Sequence, residues 1–371
     1  MKPALLVKVL RDPQRASGLA PRAWELLLSQ ARAAGLHGAL PFLLEDAGME
    51  APPAPRRHLD WLRTEALRHR DSMRNEVRLI ARALADGGRD AEQLLLLKGA
   101  AYLMANLPPA RGRLFGDVDI LVPKRALPAV ERALVLHGWT GTKLDAYDQR
   151  YYREWMHELP PLEHMQRGTT IDVHHAILPE TAGLRPDPER LRGSAVPIAW
   201  PDGVQGEYPL STLSPQDMVL HSALHLFWDG EFDHGLRDLY DLHRLLAEFG
   251  KRPGFWAGLV PRAAELELMR PLFYALRYAA ALLGTPVPED VSRMLRRAGP
   301  NRLLLRVMDG LFLRSLQPMH PSCSDASSGI ARFVLYVRGN WLRMPPVLLA
   351  RHLFHKAFIS SRPAEEARTA E

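Results

Sequence analysis

The chain reads as an α/β protein of the α+β kind, a small mixed sheet flanked by N-terminal helices and followed by a C-terminal helical domain. Three observations predict this. Residues 1–90 carry apolar residues at helical spacing, residues 91–210 switch to short apolar runs alternating with helical segments, and residues 211–371 return to helical spacing. A length of 371 residues suits two or three domains, and 47% hydrophobic with 24% charged residues is a globular balance that excludes a disordered or collagen-like chain.

In the first stretch, Trp24 and Leu26 to Leu28 lie in one helical segment. A second runs from Arg57 to about Ala85 with Leu59, Leu62, Leu67, Met73, Val77, Ile80 and Leu84 at near-helical spacing and no internal Pro or Gly. Pro52, Pro53 and Pro55 separate the two, and Gly87-Gly88 closes the region. In the middle stretch, Leu94 to Leu97 predicts a strand, Ala100 to Asn106 a helix, Val118 to Val122 a strand stopped by Pro123, and Lys124 to His137 a helix stopped by Gly138. Trp155 to His164 and Thr169 to Ala176 read as two further strands about a Gly168 turn. The last stretch opens on Ser214-Pro215-Gln216-Asp217, an N-cap followed by Pro at the first helical position and an acid in the first turn.

The net charge is +6, but only seven of the 48 basic residues are lysine, and the arginines are spread along the whole chain. Composition bias accounts for that pattern better than a nucleic-acid footprint, which would cluster on one face; a nucleic-acid partner stays open without being favoured. The one cysteine, Cys323, excludes an intramolecular disulfide and a zinc site built on several thiolates. No uncharged apolar stretch approaches the roughly 18 residues of a membrane span, so the expected compartment is a bacterial-type cytoplasm. Arg332 to Lys356 interleaves basic and apolar residues in the manner of a membrane-surface helix, but Pro345-Pro346 interrupts it and favours a packed helical pair.

The chemistry concentrates in two segments, Leu97-Lys98-Gly99-Ala100 and Arg113 to Val122. Side chains alternate faces along a strand, so Asp117 and Asp119 point the same way while Val118 and Ile120 anchor the other face. Two acids on one face repel, and a Mg²⁺-type ion relieves the repulsion. A third acid lies in Thr170-Ile171-Asp172-Val173-His174, again on a predicted strand. Should the two strands be neighbours, three carboxylates meet and can hold two ions about 3.5–4 Å apart.

These segments, an apolar run ending Leu-Lys-Gly, then Arg four residues before Asp-Val-Asp-Ile-Leu-Val, then Ile-Asp-Val-His, resemble the uncharacterised bacterial nucleotidyltransferase branch of the DNA polymerase beta-like nucleotidyltransferase superfamily. The resemblance covers residues 90–210 best. It implies that Asp117, Asp119 and Asp172 are catalytic metal ligands for two Mg²⁺ or Mn²⁺ ions, Asp172 also helping to deprotonate an acceptor hydroxyl. It further implies that Lys98, Gly99, Ala100 and Arg113 bind the phosphates of a nucleoside triphosphate such as ATP, the backbone at Gly99 approaching them closely. The pattern departs from the superfamily at Gly99-Ala100, where Gly-Gly or Gly-Ser is usual, and in the longer interval from Gly99 to Asp117.

His174 either orients Asp172, sits on the acceptor side or is an ordinary polar residue of the strand. His221 and His225, four apart on a predicted helix, have the spacing of a zinc pair, though helix packing accounts for them better; Arg237, Asp238 and Asp241 could reach a cleft or pair with one another. Two functions follow: a metal-dependent nucleotidyltransferase with an unknown small-molecule, protein or RNA acceptor, or a non-catalytic nucleotide-binding or regulatory protein that keeps the fold.

Overall fold

A computed structural model describes residues 3–87, 93–142, 146–201 and 208–345. Its N-terminal helices are α1 (Leu5–Arg11), α2 (Pro21–Ala33), α3 (Leu40–Asp46) and α4 (Pro53–Asp86). The last is 34 residues long, and Pro53 and Pro55 open it in the first turn, where the missing amide protons would have no helical partner. Its buried stripe includes Leu59, Leu62, Met73, Val77, Ile80 and Leu84, as the periodicity predicts, while Leu67 is only half-buried. The closing Gly88 lies outside the described residues.

The middle stretch runs β1 (Leu94–Leu96), α5 (Lys98–Met104), β2 (Asp117–Leu121), α6 (Leu127–Leu136), β3 (Trp139–Gly141), α7 (Ala146–Trp155), β4 (Leu162–His164), β5 (Thr170–His174), α8 (Pro188–Gly193), β6 (Val196–Ile198) and β7 (Leu210–Thr212). These strands form one mixed sheet in the order β3-β4-β5-β2-β1-β7-β6. At its centre β2 pairs with β5 in parallel and with β1 antiparallel.

The strand expected over Trp155 to His164 is shorter than the sequence suggests. Trp155 ends α7, Glu158 makes an isolated bridge to His174, and Pro160-Pro161 cannot donate to a ladder, so the continuous strand begins only at Leu162. The helix expected from Ala100 starts two residues earlier, at Lys98. Strands β3, β6 and β7, three residues each, carry too little alternation to be read from the sequence.

The C-terminal helices are α9 (Pro215–Trp228), α10 (Gly235–Phe249), α11 (Phe255–Glu265), α12 (Met269–Tyr278), α13 (Glu289–Leu295), α14 (Arg302–Ser315) and α15 (Ala326–Arg343). Ser214 caps α9 by accepting from the Asp217 amide, with Pro215 at the first position. One apolar core continues from Ala4 through the sheet to Leu335. None of the described helices is long and apolar enough to cross a membrane. Within the basic, apolar stretch noted in the sequence, Arg338 is turned inward, donating to the Phe227 carbonyl at 2.9 Å and lying 5.6 Å from the Trp228 ring. Gly339 packs against the backbone of Asp229 and Gly230, where a Cβ would come within 2.3 Å of the Asp229 oxygen. Helix packing thus occupies the Arg338–Gly339 side of α15, while Ile330, Phe333 and Trp341 of the same helix are exposed; residues 346–356 of that stretch lie outside the described residues.

Candidate active site

The site is built on β2. Val118 and Ile120 are fully buried, which fixes the opposite face carrying Asp117 and Asp119. The parallel register sets Asp119 directly beside Asp172 of β5, and one oxygen from each of Asp117, Asp119 and Asp172 lies within 4.8 Å of the others. Such proximity raises the cost of ionising all three. Burial and the nearby Asp119 and Glu158 carboxylates push Asp172 up to about 7, and burial with Asp119 also raises Asp117. Asp172 Oδ1 is sealed from water and accepts no hydrogen bond from the protein. A buried carboxylate oxygen without a partner beside two further carboxylates fits a divalent cation, which bonds carboxylate oxygens and cancels the repulsion.

Asp119 is the anchored member. Although burial disfavours its charge, Lys98 and His174 hold its carboxyl well below the ordinary range. Lys98 Nζ donates to Asp119 Oδ1 at 3.1 Å and His174 Nε2 donates to the same oxygen at 2.9 Å. Both donors therefore crowd Oδ1 and leave Oδ2 for another partner. Burial likewise opposes the Lys98 charge, but Asp119 and Asp117 outweigh it and raise the ammonium above its usual value. The Lys98 backbone has φ +41°, uncommon for a residue with a Cβ, and helix α5 starts from it.

His174 is gripped at both nitrogens. Its Nδ1 faces Glu158 Oε2 at 3.0 Å, and although burial disfavours its charge, the bond to Asp119 and the Glu158 carboxylate raise the imidazole above its ordinary pKa. The bond His174 makes is to Asp119, a partner that the roles considered in the sequence do not name.

Gly99 and Ala100 lie buried in the first turn of α5. A Cβ at Gly99 would stand 2.9 Å from Phe115 Cδ1 and 3.2 Å from Arg113 Nε. Packing against Phe115 and Arg113 is by itself enough to require glycine at this position. Arg113 lies over the Tyr102 ring, 5.9 Å from its centroid, and is ion-paired with Asp241 of α10.

Helices α9 and α10 supply the other wall. Lys98, Arg113, Asp117 and Asp119 line a cavity of about 100 Å³ together with Ser222, His225, Arg237, Asp238 and Asp241. Arg237 pairs with Asp238 at 3.0 Å, so the α10 charges both reach the cleft and pair within it. His225 faces this cavity while His221 is buried in α9, and neither belongs to a three-ligand group among the described residues. The space suits ions and water, whereas pockets for small organic ligands run to several hundred Å³.

Sequence reading missed His157 and Glu158, which the segment before β4 brings against His174. By composition the segment reads as part of a strand, and nothing local marks a His-Glu pair as neighbour to a residue sixteen positions on.

Fold and site together define an α+β protein with a nucleotidyltransferase-type core whose central strands gather three carboxylates able to hold a metal ion. Residues 20–284 match the family described as "Uncharacterised nucleotidyltransferase", and the chain belongs to it. No curated protein matches the chain.

Proposed function

We propose that the protein moves a nucleoside monophosphate from a nucleoside triphosphate to an acceptor hydroxyl or phosphate, in the manner of the DNA polymerase beta-like superfamily. The observation that carries this reading is the pairing of Asp119 with Asp172 across two parallel strands, with Asp117 alongside and a sealed, unbonded oxygen on Asp172. Asp117, Asp119 and Asp172 would hold two Mg²⁺ or Mn²⁺ ions, which neutralise charge developing on the phosphates and make the acceptor oxygen easier to deprotonate.

The chain's own residues have the remaining roles. Lys98 and Arg113 would turn from their carboxylate partners to the triphosphate, so that binding exchanges the Arg113–Asp241 pair for charge-assisted phosphate contacts. Asp172, the least readily ionised of the three, would take the acceptor proton. The acceptor oxygen then bonds the α-phosphorus as pyrophosphate leaves. Since the cleft is smaller than a nucleotide, α10 and the Arg113 loop must part for substrate to enter.

Incubation with α-labelled nucleoside triphosphates, Mg²⁺ and extracts of candidate acceptors tests the reading. Label transfer with pyrophosphate release, lost in Asp119→Asn, is expected. The absence both of transfer and of any Mg²⁺-dependent thermal stabilisation by nucleotide overturns it.

A further inference from the structure

We propose that His157, Glu158 and His174 form a second cation site, for a divalent ion of the zinc class, separate from the three-aspartate cluster. One nitrogen of each imidazole and one Glu158 oxygen lie within 4.8 Å of one another. The two rings stand 5.4 Å apart between centroids with 30° between their planes. That is too far for close stacking, but two imidazoles bound to one tetrahedral zinc at about 2.0–2.1 Å bring their centroids to roughly 5 Å.

The unsatisfied group points the same way. His157 Nδ1 is sealed from water and has no hydrogen-bond partner. His174 keeps Nε2 on Asp119 at 2.9 Å and turns Nδ1 toward Glu158 at 3.0 Å. A histidine fixed by a carboxylate at one nitrogen and aimed at other ligands with the second has the usual orientation of a metal-bound imidazole.

The main chain holds the ligands in place. Glu158 and His174 are bridged across neighbouring backbone, the Leu159 amide donates to the Val173 carbonyl at 2.9 Å, and the His175 amide donates to the His157 carbonyl at 2.8 Å. Little ordering is left for binding to impose. Two imidazoles and one carboxylate suit zinc, whereas an all-carboxylate cluster suits magnesium, so the two sites differ in metal preference. An ion here fastens the His157–Glu158 segment to β5 one imidazole away from Asp119. The proposal stands apart from nucleotidyl transfer and survives if that reading fails.

The test titrates the chelator-stripped full-length protein with Co²⁺, a visible-absorbing stand-in for Zn²⁺, in millimolar Mg²⁺. Expected are one Co²⁺ per chain with the strong visible bands of low coordination number, displacement by Zn²⁺ but not by Mg²⁺, and an unchanged spectrum in Asp172→Asn. His157→Ala and Glu158→Gln should each weaken binding on the order of 100-fold or more. Melting curves check that the variants fold; should His157→Ala fail to, Glu158→Gln, which preserves size, decides. Absence of such bands, binding unaffected by Glu158→Gln, or displacement by Mg²⁺ overturns the proposal. So does loss of the spectrum in Asp172→Asn, which assigns the ion to the aspartate cluster.

Discussion

Asp217, at the start of α9, and Asp172, on β5, are both withdrawn from water but are treated in opposite ways. Asp217 is fully buried and both its oxygens are bonded: Arg262 donates from Nε to Oδ1 at 2.7 Å and from Nη2 to Oδ2 at 2.9 Å, and the Ser194 hydroxyl donates to Oδ2 at 2.6 Å. Asp172 has one oxygen sealed and unbonded, and its close neighbours include two other carboxylates. A buried charge that the protein satisfies on every side holds structure together; one left unsatisfied among like charges marks a place for something the chain does not supply. The α9–α11 region and the β2–β5 region therefore use the same residue type for different ends.

Four measurements sharpen or break this contrast. The largest effect belongs to Asp119→Asn, which removes a ligand from the proposed metal site and should lower nucleotidyl transfer about 10³-fold or more, several kcal/mol of transition-state stabilisation, while the protein stays folded. Activity within about tenfold of the parent removes Asp119 from that role.

Next comes Arg262→Ala, which strands the buried Asp217 charge. Loss of one partner from such a pair costs about 3–5 kcal/mol, read as a lower melting temperature, with transfer per folded molecule preserved. A smaller thermal cost than that of Asp119→Asn would invert the comparison.

The third effect is a pH dependence. Asp172 ionises near 7 in the fold against an ordinary 3.8, so between those values the folded protein binds more protons than the unfolded chain. Stability contributed by the protonated carboxyl is accordingly lost as pH rises from about 3.8 to about 7 and stays lost above it. Melting temperatures measured in chelator should decline across that window in the parent relative to Asp172→Asn, and Mg²⁺ should recover the difference. Parallel curves for the two proteins would show that Asp172 is not held out of its ordinary range.

The smallest effect is Gly99→Ala. Its Cβ would crowd Phe115, costing about 1–3 kcal/mol, and Phe115→Leu in the same chain should relieve part of that cost. Selective loss of nucleotide affinity at unchanged melting temperature would return Gly99 to a phosphate-contacting role.

Much of the fold is legible in the sequence. The long α4 helix shows its stripe, Ser214-Pro215 announces α9, and the alternation at Asp117 to Leu121 marks β2. The misreadings share one cause. Trp155 to His164 looks like a strand by composition, but a helix end and two prolines divide it, and three-residue strands such as β7 exist only because β1 and β6 are there to pair with them. Of the site, Lys98, Asp117, Asp119, Asp172 and His174 are visible as motifs and the α10 charges Arg237, Asp238 and Asp241 as cleft candidates; Glu158 and His157 are not, because their relevance lies wholly in what they touch.

By itself the sequence determined that Asp117 and Asp119 share a face, since a strand's period of two leaves no other outcome, and that the chain alternates helices with a small sheet. Tertiary structure alone decided that Asp119 stands beside Asp172, that Lys98 and His174 crowd the same Asp119 oxygen, and that Gly99 is filled against by Phe115. Periodicity and capping act within a few residues, whereas β2 meets β5 across more than fifty; such a contact is selected by the packing of the whole sheet, and no local pattern encodes it.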